Sequence, residues 1–220
     1  MKFSLFVRFT GAAVALALMG GFGSSHAAAP GRLSFTTHAA FFSSETKQPK
    51  ALDPQAFVQD AAAPAATGPQ NIQHAAGFRP ALIEQDAKTT PLYNAKGEAL
   101  GFDLGDWLDA KGVVTITPAA HGTARISARF TGLRPGGSYS LFENHFDQQP
   151  VGFTPLDGAG KANNFIAGKN GAARISLVTP QMPTHANAVL LVYHSDKTFH
   201  GDQRGEIGVT AHHQLIARLP

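Results

Sequence analysis

From Val113 to Leu219 the apolar residues of this chain recur at every second position or in short unbroken runs. No window of a dozen residues shows the 3.6-residue period of an amphipathic helix. Ala124-Arg125-Ile126-Ser127-Ala128-Arg129-Phe130 alternates strictly. Ile126, Ala128 and Phe130 share one face and Arg125, Ser127 and Arg129 the other, the mark of a strand with one wet side. Val113 to Thr117 is β-branched throughout, Ala173 to Leu177 alternates again, and Gln214 to Leu219 closes the chain. Ala188 to Tyr193 is continuously apolar, as expected of a central strand covered on both faces. Between these runs lie turn signals such as Gly132-Leu133-Arg134-Pro135-Gly136-Gly137, in which Pro fixes φ and Gly accepts positive φ. The pattern predicts an all-β, antiparallel sandwich of about seven or eight strands with Greek-key-like connections over residues 89–220. Trp107, the single tryptophan, is expected in its core or at its rim.

The N-terminal part reads differently. Met1 to Arg8 is short and basic, Phe9 to Gly23 is uncharged and apolar or small, and Ser25-His26-Ala27 suits a signal peptidase. That order predicts a signal peptide over residues 1–27 and a mature protein in the periplasm or outside the cell. The apolar run is shorter than the roughly 20 residues of a spanning helix, and no later segment is longer, so no integral membrane segment is expected after cleavage. Residues 28–88, with Ala61-Ala62-Ala63-Pro64-Ala65-Ala66-Thr67-Gly68-Pro69 at their centre, read as a low-complexity and largely disordered spacer. Lys2 and Arg8 leave with the signal and no acidic residue does, which takes the formal charge from +3 to +1. With no Lys/Arg cluster left, neither a nucleic-acid footprint nor a polybasic membrane patch is expected. The chain has no cysteine, which excludes disulfides, thiolate metal sites and thiol catalysis.

Histidine carries the chemistry. There are ten, and the densest polar stretch, Tyr193-His194-Ser195-Asp196-Lys197-Thr198-Phe199-His200-Gly201, follows the most apolar strand. Extended geometry puts His194 and Asp196 on one face, with His200 able to fold back from the loop. Glu143 and His145 share a side at the end of another strand, and His212 and His213 point to opposite faces of the last. Imidazoles and a carboxylate converging from strand ends suit zinc or copper(II). The candidate ligands are therefore His145, His194, Asp196, His200, His212 and His213, with Asp196 alternatively orienting an imidazole.

Other chemistries fit less well. In His194-Ser195-Asp196 the neighbours point apart, so Ser195 would need a different histidine as base, and no G-x-S-x-G turn is present. Asp103, Asp106 and Asp109 are too sparse for a calcium loop and read as turn and cap residues. Gly158-Ala159-Gly160-Lys161 lacks the flanking residues of a P-loop.

Two stretches carry a family likeness. One is Gly132 to Phe142. The other is Tyr193-His194-Ser195-Asp196, with His200-Gly201, Gly205-Glu206-Ile207-Gly208 and His212-His213-Gln214-Leu215. Together they resemble a group of exported bacterial β-sandwich proteins of unassigned activity, over roughly residues 91–220. A fainter similarity, resting on the export signal, the strand count and Gly201 to Val209, is to the copper/zinc superoxide dismutase sandwich. That family's His-x-His copper pair and disulfide cysteines are missing here, so dismutase activity is not carried over. Two functions follow as expectations. One is a non-enzymatic envelope or extracellular module that binds a partner. The other is a copper- or zinc-binding protein built on the histidines.

Overall fold

The computed structural model describes residues 31–219; the expected signal peptide, residues 1–27, lies outside them. In chain order the elements are β1 (Gly31–Ser34), β2 (Thr36–Thr37), α1 (His38–Glu45), β3 (Leu52–Gln59), β4 (Ala66–Thr67), β5 (Gln73–His74), β6 (Phe78–Leu82), β7 (Pro91–Tyr93), β8 (Ala99–Asp103) and α2 (Leu104–Asp109). They continue with β9 (Lys111–Pro118), β10 (Ala124–Thr131), β11 (Ser138–His145), β12 (Gly152–Pro155), β13 (Asn164–Ile166), β14 (Ala173–Thr179), β15 (Asn187–His194) and β16 (Ala211–Arg218). The protein is mostly β, and its strands pair antiparallel, as the alternation predicted. Among the described residues no helix is long and apolar enough to cross a membrane.

One sheet has the order β1-β9-β10-β14 and a second β12-β11-β15-β16-β2, with β13 also on β11. They share one core. Val114, Ile116, Ile126, Ala128 and Phe130 of the first meet Tyr139, Leu141, Val189, Leu191, Tyr193 and Leu215 of the second. The wet face of β10 is where its Arg and Ser residues were expected, buried and exposed positions alternating along its whole length. β15 is buried at every position because the second sheet is covered on its outer side too. There Leu190, Val192, Phe142 and Ile216 pack with Phe41 of α1, Phe146 and Phe153. Fully burying one such leucine contributes about 1.5–3 kcal/mol.

Over residues 31–88 the reading as a disordered spacer is corrected; residues 28–30 lie outside the described residues. Gly31–Thr37 supplies an edge strand to both large sheets: β1 pairs with β9 and β2 with β16. Phe35, between them, packs on Phe130 at 5.1 Å between ring centres. β3 joins β6, β7 and β8 in a third sheet, and Asp53, Gln55 and Phe57 are all 0% exposed. Such a segment escapes pattern reading because β3 buries polar Asp53 and Gln55 next to apolar Ala56, Phe57 and Val58, which breaks any apolar alternation. Asp53 accepts from the backbone N–H of Gln55 (2.8 Å) and Ala56 (3.1 Å) and from Trp107 Nε1 (2.8 Å). The first two are local to β3 and the third ties β3 to α2; Trp107 is a core residue at 1% exposure. α2, six residues long, falls below the length at which helical periodicity is readable. Asp103 stands at its N-cap, yet its side chain makes no capping bond, so its expected cap role is limited to position.

Candidate functional site

β15 delivers His194 to one rim of the second sheet, opposite Ser138 on β11 and Ala211 on β16. There the strand stops. Lys197 takes φ 61°, its N–H returns to the His194 carbonyl at 3.2 Å, and Asp196 Oδ1 accepts from Thr198 N at 3.0 Å. This tight turn brings His200 back, its Nε2 3.0 Å from Asp196 Oδ2. The rings of His194 and His200 are 5.4 Å apart. The ligand atoms of His194, Asp196 and His200 all lie within 4.8 Å of one another.

The three differ in freedom. His194 is 0% exposed, whereas the His200 and Asp196 side chains are 25% and 30% exposed. His194 Nε2 is 2.8 Å from Ser140 Oγ, but its buried Nδ1 has no hydrogen-bond partner. The His194 ring thus stands beside a carboxylate and a second imidazole, the residue types that ligate zinc or copper(II). Ligands of one tetrahedral zinc at about 2.0–2.1 Å stand roughly 3.3 Å apart. The two half-exposed side chains are the ones free to close that gap. Burial, and next the neighbouring His200, push the His194 pKa down to about 4. The ring is neutral at physiological pH, the form in which imidazole ligates.

The structure does not bring the other expected ligands here. His145 pairs opposite Asn187, at the far end of β15, which at about 3.3 Å per residue is roughly 23 Å from His194. Its ring meets Thr154 Oγ1 (2.8 Å) and Asn187 Nδ2 (3.0 Å) instead. His212 and His213 do point to opposite faces, and neither reaches the cluster. The irregular register of β16 against β15, with Leu191 opposite Leu215 and Val192 opposite His213, is a bulge that contains Gln214. It turns His212 towards Trp107 and Tyr193, at 6.5 and 6.2 Å between rings. The His212 Nδ1 lies 2.9 Å from the Gln55 carbonyl. His213 faces outward, with Nδ1 3.0 Å from Gln55 Nε2 and Nε2 3.2 Å from Arg204 Nη1. Both rings therefore fasten β3 to β16.

His212 Nε2 is also 3.3 Å from Ser195 Oγ, so a histidine other than His194 does approach this serine. Ser195 nevertheless donates its hydroxyl proton to the Val209 carbonyl at 3.0 Å, and that carbonyl also lies 3.3 Å from His212 Nε2. The hydroxyl is directed at backbone, not at the imidazole base. Sequence reasoning passed over Ser140, because its place beside His194 depends on the register between β11 and β15; its position on an alternating strand was the only signal.

The loop that carries His200 is supported from behind. Asp157 Oδ1 and Oδ2 accept four backbone N–H bonds, from Ala159, Gly160, Lys161 and Ala162, at 2.6–3.2 Å. Gly160, at φ +68°, lies so close that a Cβ there would overlap the Gly201 backbone. Gly160→Ala should cost roughly 2 kcal/mol or more. Gly136→Ala, at φ +69° with open space around it, should cost only the backbone part of that. Urea unfolding of the two variants separates the terms; equal losses would show that the loop contact contributes nothing.

Compared with known proteins, the chain matches no family model and none of the curated proteins.

Proposed function

We propose that this is an exported metal-binding module that holds one zinc or copper(II) ion through His194 Nδ1, His200 and Asp196. On this reading the two large sheets form a Greek-key-like sandwich of about seven or eight strands, and the signal peptide sends it to the periplasm or beyond. The observation that supports the reading best is that one ring nitrogen of His194 and the ligand atoms of His200 and Asp196 lie within 4.8 Å of one another, in a ring whose Nδ1 is buried and unpartnered. With the proton on Nε2 and donated to Ser140, Nδ1 keeps its lone pair for the metal, and Ser140 fixes the tautomer as an outer partner does for metal-bound histidine. Three protein ligands leave a fourth position to water or to a ligand from a partner. A cysteine-free donor set of imidazole and carboxylate suits zinc and copper(II) over softer ions.

The test is titration calorimetry of the mature, untagged protein with zinc and with copper(II), backed by metal analysis. One ion per chain is expected. His194→Ala and His200→Ala should abolish binding, and Ser140→Ala should weaken it by roughly 10–100-fold. Binding that survives His194→Ala, or no binding by the wild type, removes the proposal and leaves the non-metal binding module.

A further inference from the structure

The outer face of the first sheet gathers cations that the sequence keeps far apart. Val114, Ile116, Ile126, Ala128 and Leu177 turn inward to the shared core. The alternate positions point the other way. They include Arg32 on β1, Lys111 on β9, Arg125 and Arg129 on β10, and Arg174 on β14, all exposed. The four strands contain no Asp or Glu, and neither does the turn between β9 and β10. The whole chain has 18 basic and 15 acidic residues, so its near-balance is reached by carboxylates placed elsewhere. None of the five cations has an ion-pair partner among the described residues.

The register sharpens this. Arg129 stands directly opposite Arg174, a like-charge cross-strand pair that opposes the pairing of the two strands. Beside it Ser127 stands opposite Ser176, with the hydroxyl oxygens 3.2 Å apart. A shallow hollow of about 330 Å³ is lined by these four side chains. A second, of about 180 Å³, has Lys111, Val113, Arg129 and Thr131 on its wall, so Arg129 lies between the two. Arg125 is four residues further along β10, roughly 14 Å at 3.4 Å per residue.

We propose that this face binds a linear acidic polysaccharide, its carboxylates held by Arg125, Arg129 and Arg174 and its hydroxyls by the serines and threonines between them. A carboxylate set between Arg129 and Arg174 offsets their repulsion, and the planar guanidinium fork matches it with two hydrogen bonds. The distance to Arg125 calls for a chain of anionic groups, not one small anion. The other polyanions fit less well. Single-stranded nucleic acid is held by aromatic stacking as well as charge, and the face has no aromatic side chain. Duplex grooves are read by a projecting helix or ribbon, and this surface is a flat sheet. A lipid surface takes inserted aromatic or large apolar groups. Protein interfaces are depleted of charge at their centre, where this face has Arg129. The inference is independent of the metal reading, since the His194 cluster stands on the second sheet.

The probe is an end-labelled polygalacturonate fragment, with its methyl ester as the uncharged counterpart, titrated into EDTA-treated mature protein and followed by fluorescence anisotropy. The acid form is expected to bind at least about tenfold tighter than the ester at low ionic strength, and to weaken as salt is raised to about 0.15 M. Combined Arg125→Gln, Arg129→Gln and Arg174→Gln should weaken binding at least about tenfold. Combined Lys47→Gln, Lys50→Gln and Lys88→Gln removes the same charge away from the face and should change it less than about twofold. Circular dichroism and the melting temperature check that both variants fold. Arg129→Gln alone, which also removes the like-charge pair, should weaken binding with no loss of melting temperature. Equal binding of acid and ester, no binding of the acid at low ionic strength, or equal effects of the arginine and lysine sets each overturns the proposal. So does tighter binding of duplex DNA or of anionic phospholipid vesicles than of polygalacturonate at the same salt, which would assign the face to another class of partner.

Discussion

Metal-free protein should lose on the order of 5 kcal/mol of stability between pH 7 and pH 4.5, a loss comparable to the whole stability of many domains. The cause is a set of histidines that fold in the neutral form. Burial holds His38 down to about 3, and His194 and His212 each down to about 4. His213 is pushed well below its ordinary value by burial and next by His38. A base whose folded pKa is depressed binds fewer protons when folded than when unfolded, so its contribution is complete above about 6.5 and is lost as pH falls towards the folded value. Each costs about 1.4 kcal/mol per pH unit in that window.

Two carboxyls act in the opposite sense. Burial raises Asp53 to about 6 and, with Asp147 nearby, Glu143 to about 7, so both favour the folded state as pH falls through their raised values. Four histidines outweigh two carboxyls, and unfolding near pH 5 should take up about two protons net. Urea midpoints measured by circular dichroism from pH 7 to 4.5, in EDTA, check this. A flat profile, or a stability maximum near pH 5, would show that the buried imidazoles find proton acceptors these contacts do not reveal.

Gln55→Ala should destabilise the protein by about 4 kcal/mol. The Gln55 side chain has no solvent exposure and each of its polar atoms is used. Oε1 accepts from the backbone N–H of His213 at 2.6 Å, and Nε2 donates to Gln70 Oε1 at 2.7 Å and to His213 Nδ1 at 3.0 Å. Alanine leaves the His213 N–H and ring nitrogen unpaired in the interior and opens a void where the amide stood. Gln59→Ala, at the exposed end of the same strand, should change stability by less than about 0.5 kcal/mol. Chemical denaturation of the pair tests whether residues 31–88 belong to the folded unit. If both substitutions are silent, that segment behaves as the spacer its composition suggested.

Period-2 alternation in Ala124 to Phe130 and Ala173 to Leu177, and the unbroken apolar run Ala188 to Tyr193, determined by themselves that this chain is built from antiparallel strands and which of its faces are wet. They could do so because side-chain direction along a strand is a local property of the backbone. The same locality set His212 against His213, whereas His194 and Asp196 come together through the turn that ends β15 and not through a shared strand face. What only the tertiary structure decided was which strand ends meet. The register of β11 on β15 put Ser140 beside His194 and carried His145 to the opposite rim, and the bulge in β16 sent His212 inward and His213 outward. The role of residues 31–88 was equally out of reach of pattern. Asp53, Gln55 and His38 are polar residues that local rules assign to solvent, and they are buried because hydrogen-bond partners far along the chain, Trp107 and His213, are waiting for them in the fold.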